Sequence, residues 1–352
     1  MKRLTLLLLT LVSIAATAQP LGIKLGNTQQ LRICGFAQGH FDYQNSDGVE
    51  RNDFNFKHVV LIADGSITDK LSFRVMTDFV SPDIYLLLQE YYAQYDFAPW
   101  LKLRVGQFKQ PYTIENLMIP TLIGALSSNE SVRYMAGIVG DPLYGLMAGR
   151  DQGVMLTGDL LPAADGHNWL GYSIGIFNGA GVNQRDNNNA KDVIAMLNFN
   201  PWKEVQLSAS MQIGQGTARN ASPFSGIMAG EKYTRNRWSV GLKAHYGRMM
   251  LRSEWMAGQD GHTPLHGGYA ELWITTLPKL DIVLDIDHVN RNTDLSRAEQ
   301  ELLPSATQNT NYTAGLQYWF HRQCRIATHY TYTDRPTAPA THLWATQLQL
   351  MF

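Results

Sequence analysis

The stretch that most constrains this chain is its end. Thr341 to Phe352 reads T-H-L-W-A-T-Q-L-Q-L-M-F. With the period of two that a strand imposes, His342, Trp344, Thr346, Leu348, Leu350 and Phe352 share one face. Leu343, Ala345, Gln347, Gln349 and Met351 share the other, which is largely polar. A strand of this kind needs hydrocarbon or a core on one side and something wetter on the other. A soluble sandwich and a membrane barrel both supply that, and the decision rests on whether the pattern recurs.

It does recur. From Leu31 onward the sequence breaks into segments of about ten residues with dyad alternation, separated by turn-rich stretches, the pattern of a transmembrane β-barrel. In Leu31–Tyr43, the residues Leu31, Ile33, Gly35, Ala37, Gly39, Phe41 and Tyr43 oppose Arg32, Gln38, His40 and Asp42. Phe54–Ala63, Leu71–Phe79, Ile84–Tyr95 and Leu101–Phe108 follow. The next segments are Val154–Leu160, Leu170–Phe177, Val193–Phe199, Val205–Ile213, Trp238–Tyr246 and Met249–Met256. Gly268–Thr275, Leu280–His288, Tyr312–Phe320 and Ile326–Thr333 lead to the final strand. That makes sixteen, the even number a single-chain barrel requires.

The connections alternate as well. Those expected at the periplasmic end are short: Asp64–Lys70, Asp96–Trp100, Leu161–Asn168, Asn200–Glu204, Gly247–Arg248, Thr276–Lys279 and His321–Gln323. The opposite set includes the long stretches Tyr112–Arg150, Gly214–Arg237 and Val289–Asn309. One face of every clean strand carries Gln, Ser, Arg, Asp or Lys. A water-holding barrel satisfies that face, whereas a packed sandwich core does not. The expected fold is all-β: a sixteen-stranded antiparallel transmembrane barrel with a long third extracellular loop.

Export is written at the other end. Lys2 and Arg3 precede the apolar run Leu4–Ala15, and Ala16-Thr17-Ala18 forms a small-x-small cleavage site before Gln19. Residues 1–18 read as a signal peptide and 19–352 as one barrel domain. The run is too short to span a bilayer as a helix, and no later stretch is long and apolar enough. A formal net charge of −1 lacks the basic stripe that a nucleic-acid partner requires. Cys34 and Cys324 fall on strands that are second neighbours around a closed ring, about 9–10 Å apart and beyond disulfide reach.

Several stretches, in order, resemble the phosphate-selective porin O and P family. Arg104-Val105-Gly106-Gln107-Phe108-Lys109-Gln110-Pro111-Tyr112 is similar to the family's turn from a strand into the long third loop. Gly149-Arg150-Asp151-Gln152-Gly153 enters the next strand. Phe177-Asn178-Gly179-Ala180-Gly181, with Asp186, Asn187 and Lys191-Asp192, resembles its strand–loop–strand. With the leader and terminal Phe, the resemblance covers essentially the whole mature chain. It implies a homotrimer in the bacterial outer membrane, with the third loop folded inward to narrow the pore. Phosphate preference in the family depends on lumen arginines and constriction lysines that do not match here residue by residue.

The function expected is passive diffusion of small hydrophilic solutes, with anion or phosphate preference implied only by the resemblance. An exported β-rich carbohydrate-binding protein or hydrolase is the rival reading. Charges on a low-dielectric wall focus the field and concentrate the opposite ion. Parity turns Arg32, Arg74, Lys102, Arg104, Lys243, Arg252 and Arg325 inward, and Lys109 and Arg150 flank the third loop. Asp42, Asp78, Glu90, Glu254, Asp281, Asp285 and Asp287 are acidic lumen candidates, so the cations have a wall-pairing role open to them.

Other constellations read plainly. His262-x-x-x-His266 contains Pro264 and falls in an expected loop, so no metal or other cofactor is expected there. Asp285 and Asp287 share a lumen face while His288 points away. Gly179-Ala180-Gly181 lacks the Lys-Ser/Thr of a phosphate-binding loop. Tyr43, Trp100, Trp202, Trp238 and Tyr246 read as interface girdles. No nucleophile–base–orienter set stands out, so no enzymatic activity is expected.

Overall fold

A computed structural model of the protein describes residues 21–24, 29–80, 88–145, 147–303 and 305–352. The expected leader, 1–18, lies outside them. So do residues 84–87 of the expected fourth strand.

A short strand, β1 (Leu21–Lys24), precedes β2 (Gln30–Ser46), β3 (Val49–Ser66), β4 (Leu71–Asp78), β5 (Leu88–Ala98) and β6 (Leu101–Lys109). After a long connection come β7 (Arg150–Pro162), β8 (Asn168–Phe177), β9 (Asp192–Trp202), β10 (Val205–Thr217), β11 (Lys232–Tyr246) and β12 (Met249–Asp260). Then follow β13 (Thr263–Leu277), β14 (Leu280–Asn290), β15 (Gln308–His321), β16 (Cys324–Asp334) and β17 (Thr341–Met351). Successive strands from β2 onward pair antiparallel, and β17 closes on β2 from Thr341↔Ser46 to Met351↔Phe36. The ring of β2–β17 is therefore a closed sixteen-stranded barrel without a free edge, the only β architecture that satisfies its backbone within hydrocarbon. β1 pairs with β2 from Leu21↔Ile33 to Lys24↔Gln30, continuing the slot that β17 occupies higher up.

The alternation sorts side chains as the sequence demands. On β17, Trp344, Leu348 and Leu350 face outward and are exposed, while Ala345, Gln347 and Gln349 are buried inside. On β14, Leu284 and Ile286 are outside, and Asp281, Asp285 and Asp287 are inside and buried. Trp100, Trp202 and Tyr246 stand exposed at strand ends, whereas Trp238 is exposed in the middle of β11 and Tyr43 is half-buried within β2. Cys34 and Cys324 are free thiols on strands separated by β17.

Three features depart from strict expectation. First, β3 carries a bulge: Gln38 faces His58, but Gly39 faces Phe56, leaving Lys57 unpaired in the ladder. A bulge re-aims side chains by adding one residue to one strand. Phe54 and Phe56 point outward below it, Leu61 beyond it, and Lys57 and His58 both turn inward. Second, His262–His266 is not a loop. Asp260-Gly261-His262-Thr263 is a two-residue hairpin turn with Gly261 at φ +63, so Pro264 and His266 belong to β13. His266 lies on the outer face, stacked on Trp255 at 5.1 Å. Third, the inner wall is not uniformly polar. Phe36, Val60, Ile62 and Met76 form an apolar patch on β2–β4, and the opposite wall packs hydrophobically against the connection between β6 and β7.

Candidate permeation site

The connection 110–149 is the longest between strands of the ring, and it lies inside the barrel. Its two feet are clamped together, because the Asn116 side-chain amide donates to the carbonyls of both Gln110 and Gly149 at 3.1 Å. Between the feet run two short helices, α1 (Ile114–Leu117) and α2 (Glu130–Met135), with a 3-10 turn at Pro120–Leu122.

The start of a helix leaves backbone N–H groups without partners. Here wall carboxylates on β12 and β14 accept them, and one on β13 between takes an amide of the intervening chain. Glu254 on β12 receives Ile114 N at 2.6 Å and Glu115 N at 3.0 Å, with the Tyr269 hydroxyl also donating to it at 3.0 Å. Glu271 on β13 receives Ala125 N at 2.8 Å. Asp287 on β14 receives Glu130 N at 2.7 Å and Ser131 N at 3.1 Å. A Cβ at Gly124 would fall 2.7 Å from the Glu271 carboxylate, so the approach to β13 needs glycine.

The connection then reaches the far wall. Lys57 donates to the Leu126 carbonyl at 3.0 Å and to the Ser127 hydroxyl. Arg325 donates to the Ile123 carbonyl at 3.1 Å, Gln317 donates to that of Gly124, and Leu126 packs on Ala327 and Ala345. The returning limb is tied by buried arginines. Arg237 donates to the Met135 carbonyl at 2.5 Å, and Asp141 accepts from Arg235 at 3.0 Å and Arg237 at 3.2 Å. Asp260 pairs with Arg237 at 2.8 Å.

The nine expected cations divide accordingly. Arg252 and Arg325 are fully buried: Arg252 pairs with Glu271, and Arg325 holds Gln317 and the loop backbone beneath Trp319. They anchor the loop rather than line water. Lys109 donates to the Met118 carbonyl, and Arg150 pairs with Glu90 at 2.8 Å and with the Ala148 carbonyl at 2.9 Å, so both brace the feet. Arg74 makes a two-pronged bond to Asp64 at 2.6 and 3.0 Å. Arg104 bonds Gln94 and lies over the Tyr92 ring at 4.3 Å. Lys102 pairs loosely with Asp159 at 3.5 Å. Arg32 and Lys243 have no ion-pair partner among the described residues.

Among the described residues, spaces open on the barrel interior at both ends. At the short-turn end, one of about 320 Å³ is lined by Arg32, Asp64, Tyr92, Gln94 and Arg104. Another there, of about 550 Å³, is lined by Lys243, His245, Trp273, Asp281 and Trp319. At the long-loop end a vestibule of about 290 Å³ lies between α2 and the walls of β2, β3 and β14–β17, with Lys57, Arg133, Asp285, Thr313 and His329 among its lining. Lys57 and Arg133 escaped the sequence reading. The signal was present: apolar residues at 54 and 56, then at 59, 61 and 63, betray a change of parity at Lys57-His58. Arg133 sits in the loop, where parity says nothing.

Burial pushes the Glu115 carboxyl, beneath the loop, up to about 8. It accepts from Asn129 N at 2.7 Å and from the Asn129 side chain at 2.8 Å.

A ring of strands with an apolar exterior, spanned inside by its third long connection, is the geometry of a channel. The family described as phosphate-selective porin O and P matches residues 32–273. The chain belongs to this family. No curated protein matches it. Among solved structures, the outer membrane channel DcaP of Acinetobacter baumannii is similar over 94% of this chain and 99% of its own, at 12% identity and TM-score 0.66. An anion-selective porin from Comamonas acidovorans is similar over 92% of this chain and 100% of its own, at 10% identity and TM-score 0.66. The trimer form of OmpT from Vibrio cholerae gives 93% and 100%, at 12% identity and TM-score 0.63. At these identities the likeness is one of fold. Family and fold together make this porin O and P member an outer-membrane channel.

Proposed function

We propose that small hydrophilic solutes diffuse past the edge of the loop that spans the lumen, with a preference for anions, and that the barrel works as a homotrimer. The observation that carries this reading is the path of residues 110–149, fastened to β11–β17 and β3 and leaving open spaces toward both ends of the barrel. A fixed obstruction inside a water-holding barrel sets a size limit, and the charges left unneutralised beside it set the ion preference. Arg32 and Arg104, with Lys243 in the second space, face the short-turn spaces, while Lys57 and Arg133 face the vestibule and Lys102 pairs with Asp159. Arg74, Lys109, Arg150, Arg252 and Arg325 serve as wall and loop fasteners. The trimer reading draws support from the trimer form of the Vibrio cholerae neighbour, and crosslinking in detergent tests it.

The deciding experiment is reversal potential across a planar bilayer in a salt gradient. Anion permeability should exceed cation permeability, and the double variant Lys57→Gln with Arg133→Gln should lower the ratio about two- to threefold, since field focusing scales with uncompensated charge. An unchanged ratio refutes the assignment of these two cations, and a cation-preferring wild type refutes anion preference itself. Absence of conductance steps refutes the channel.

A further inference from the structure

The vestibule holds two buried polar atoms with no protein partner. One is Oδ2 of Asp285, a residue only 7% exposed, and the other is Nδ1 of His329, only 3% exposed. Both residues line the same space. A buried carboxylate oxygen without a donor is costly, and a solute that supplies one gains what the protein lacks. The titratable groups nearest Asp285 are acidic, Glu271 directly across the β13–β14 ladder, itself paired with Arg252, and Asp287 two residues along the same face, with the Glu115 carboxyl and the Asn129 amide reaching it from the loop. An oxygen in that company favours a cationic donor over a neutral one.

The surroundings fix the class of that donor further. Asp285, Thr313 and Thr331 stand in one cross-strand row on β14, β15 and β16, and the two threonine hydroxyls bond each other at 2.8 Å. His329 lies over Gly315, its cross-strand neighbour, where any Cβ would collide with the imidazole. This side of the space therefore offers one carboxylate oxygen, one ring nitrogen and a pair of hydroxyls. The rest of the lining holds the cations Lys57, Arg133 and Arg335 together with the carboxylates Asp42 and Glu130, the latter paired with Arg291. The Arg133 guanidinium has no hydrogen-bond or ion-pair partner among the described residues, and Lys57, close enough to feel its charge, has two of its donors engaged by the loop. Among the described residues, no group of side chains there has the makings of a metal site, which points to an organic cation.

We propose that the vestibule is a binding station for zwitterionic amino acids and short peptides: the ammonium bonds Asp285 Oδ2, backbone amides meet the threonine hydroxyls and His329, and the carboxylate meets Arg133. The station deepens the channel reading and rests on it, because a diffusing solute must reach the space. Its two poles would retain solutes carrying both charges and pass single anions with less delay.

Transient block of single-channel current in planar bilayers tests this with three probes: alanyl-alanine, N-acetyl-alanyl-alanine and alanyl-alanine amide. Alanyl-alanine should block at concentrations about tenfold or more below either capped form, since each cap removes one charge-assisted bond. Asp285→Asn should abolish the advantage over the acetylated peptide, and Arg133→Gln the advantage over the amide. Equal block by all three probes on the wild-type channel overturns the proposal without recourse to any variant, as does undiminished alanyl-alanine block in Asp285→Asn. The open-channel steps in the same recordings report separately on the channel reading.

Discussion

Along residues 113–131 the loop inside the barrel hangs on single wall carboxylates that accept its backbone amides. From Tyr134 to Asp141 it is held instead by a buried cluster in which Arg235, Arg237 and Asp260 of the wall engage the loop's own Asp141 and backbone. The first kind of anchor is modular. Each carboxylate serves one turn of chain, and the loss of one leaves the others intact. The second is collective, because Asp141 compensates two arginines at once and removing it strands both. One connection thus contains a limb that yields in steps and a limb that yields as a unit.

Breaking the collective limb should have the largest effect. Asp141→Ala should destabilise the folded barrel by about 3–5 kcal/mol, read as a lower temperature for the heat-induced shift in gel mobility. A change no larger than that of a surface variant would mean the cluster is not collective. Glu254→Gln comes next. Gln keeps one acceptor oxygen but turns an amide toward the second backbone N–H, costing about 1–3 kcal/mol of loop docking. Current noise should rise and protease should cut within 113–131, while the gel-shift temperature stays near the wild-type value.

Acidity separates the limbs more finely. Glu115 has its carboxyl raised from 4.5 to about 8 by burial. A raised value favours the docked loop when the proton is on, so this contribution is complete below pH 4.5, fades as pH climbs, and is gone above about 8. Open-channel noise should therefore increase between pH 5 and 8, and Glu115→Gln should flatten that slope; an equally steep slope in the variant would assign it to another group. Smallest of all, Lys102→Gln breaks a part-exposed pair with Asp159 at 3.5 Å. It should change stability by less than about 0.5 kcal/mol.

The ring of strands was legible because it rests on a local rule: any residue's face follows from its neighbours two positions away. The same rule assigned seven arginines and lysines to the inner-face parity of their strands. It had no means of telling which would be consumed, since Arg252 and Arg325, besides their wall partners Glu271 and Gln317, reach Met118 and Ile123 in a loop more than a hundred residues distant. Lys57 was lost to an inserted residue that shifts the phase of β3. The turn after β12 was lost because the expected strands stopped at Met256 and resumed at Gly268, which left the turn-forming pair Asp260-Gly261 inside a longer connection. Dense interior packing around the loop, from Phe108 to Val289, depends on tertiary contacts that no periodicity encodes.

Glu254, Glu271 and Asp287 take hold of peptide groups, which every residue except proline presents alike. The grip is therefore indifferent to what those residues carry on their Cα atoms, save where Gly124 must pass. Side chains along the obstruction can be exchanged without unmooring it. A barrel built this way separates the task of keeping its aperture in place from the task of choosing what goes through, and the second can be rewritten while the first stands.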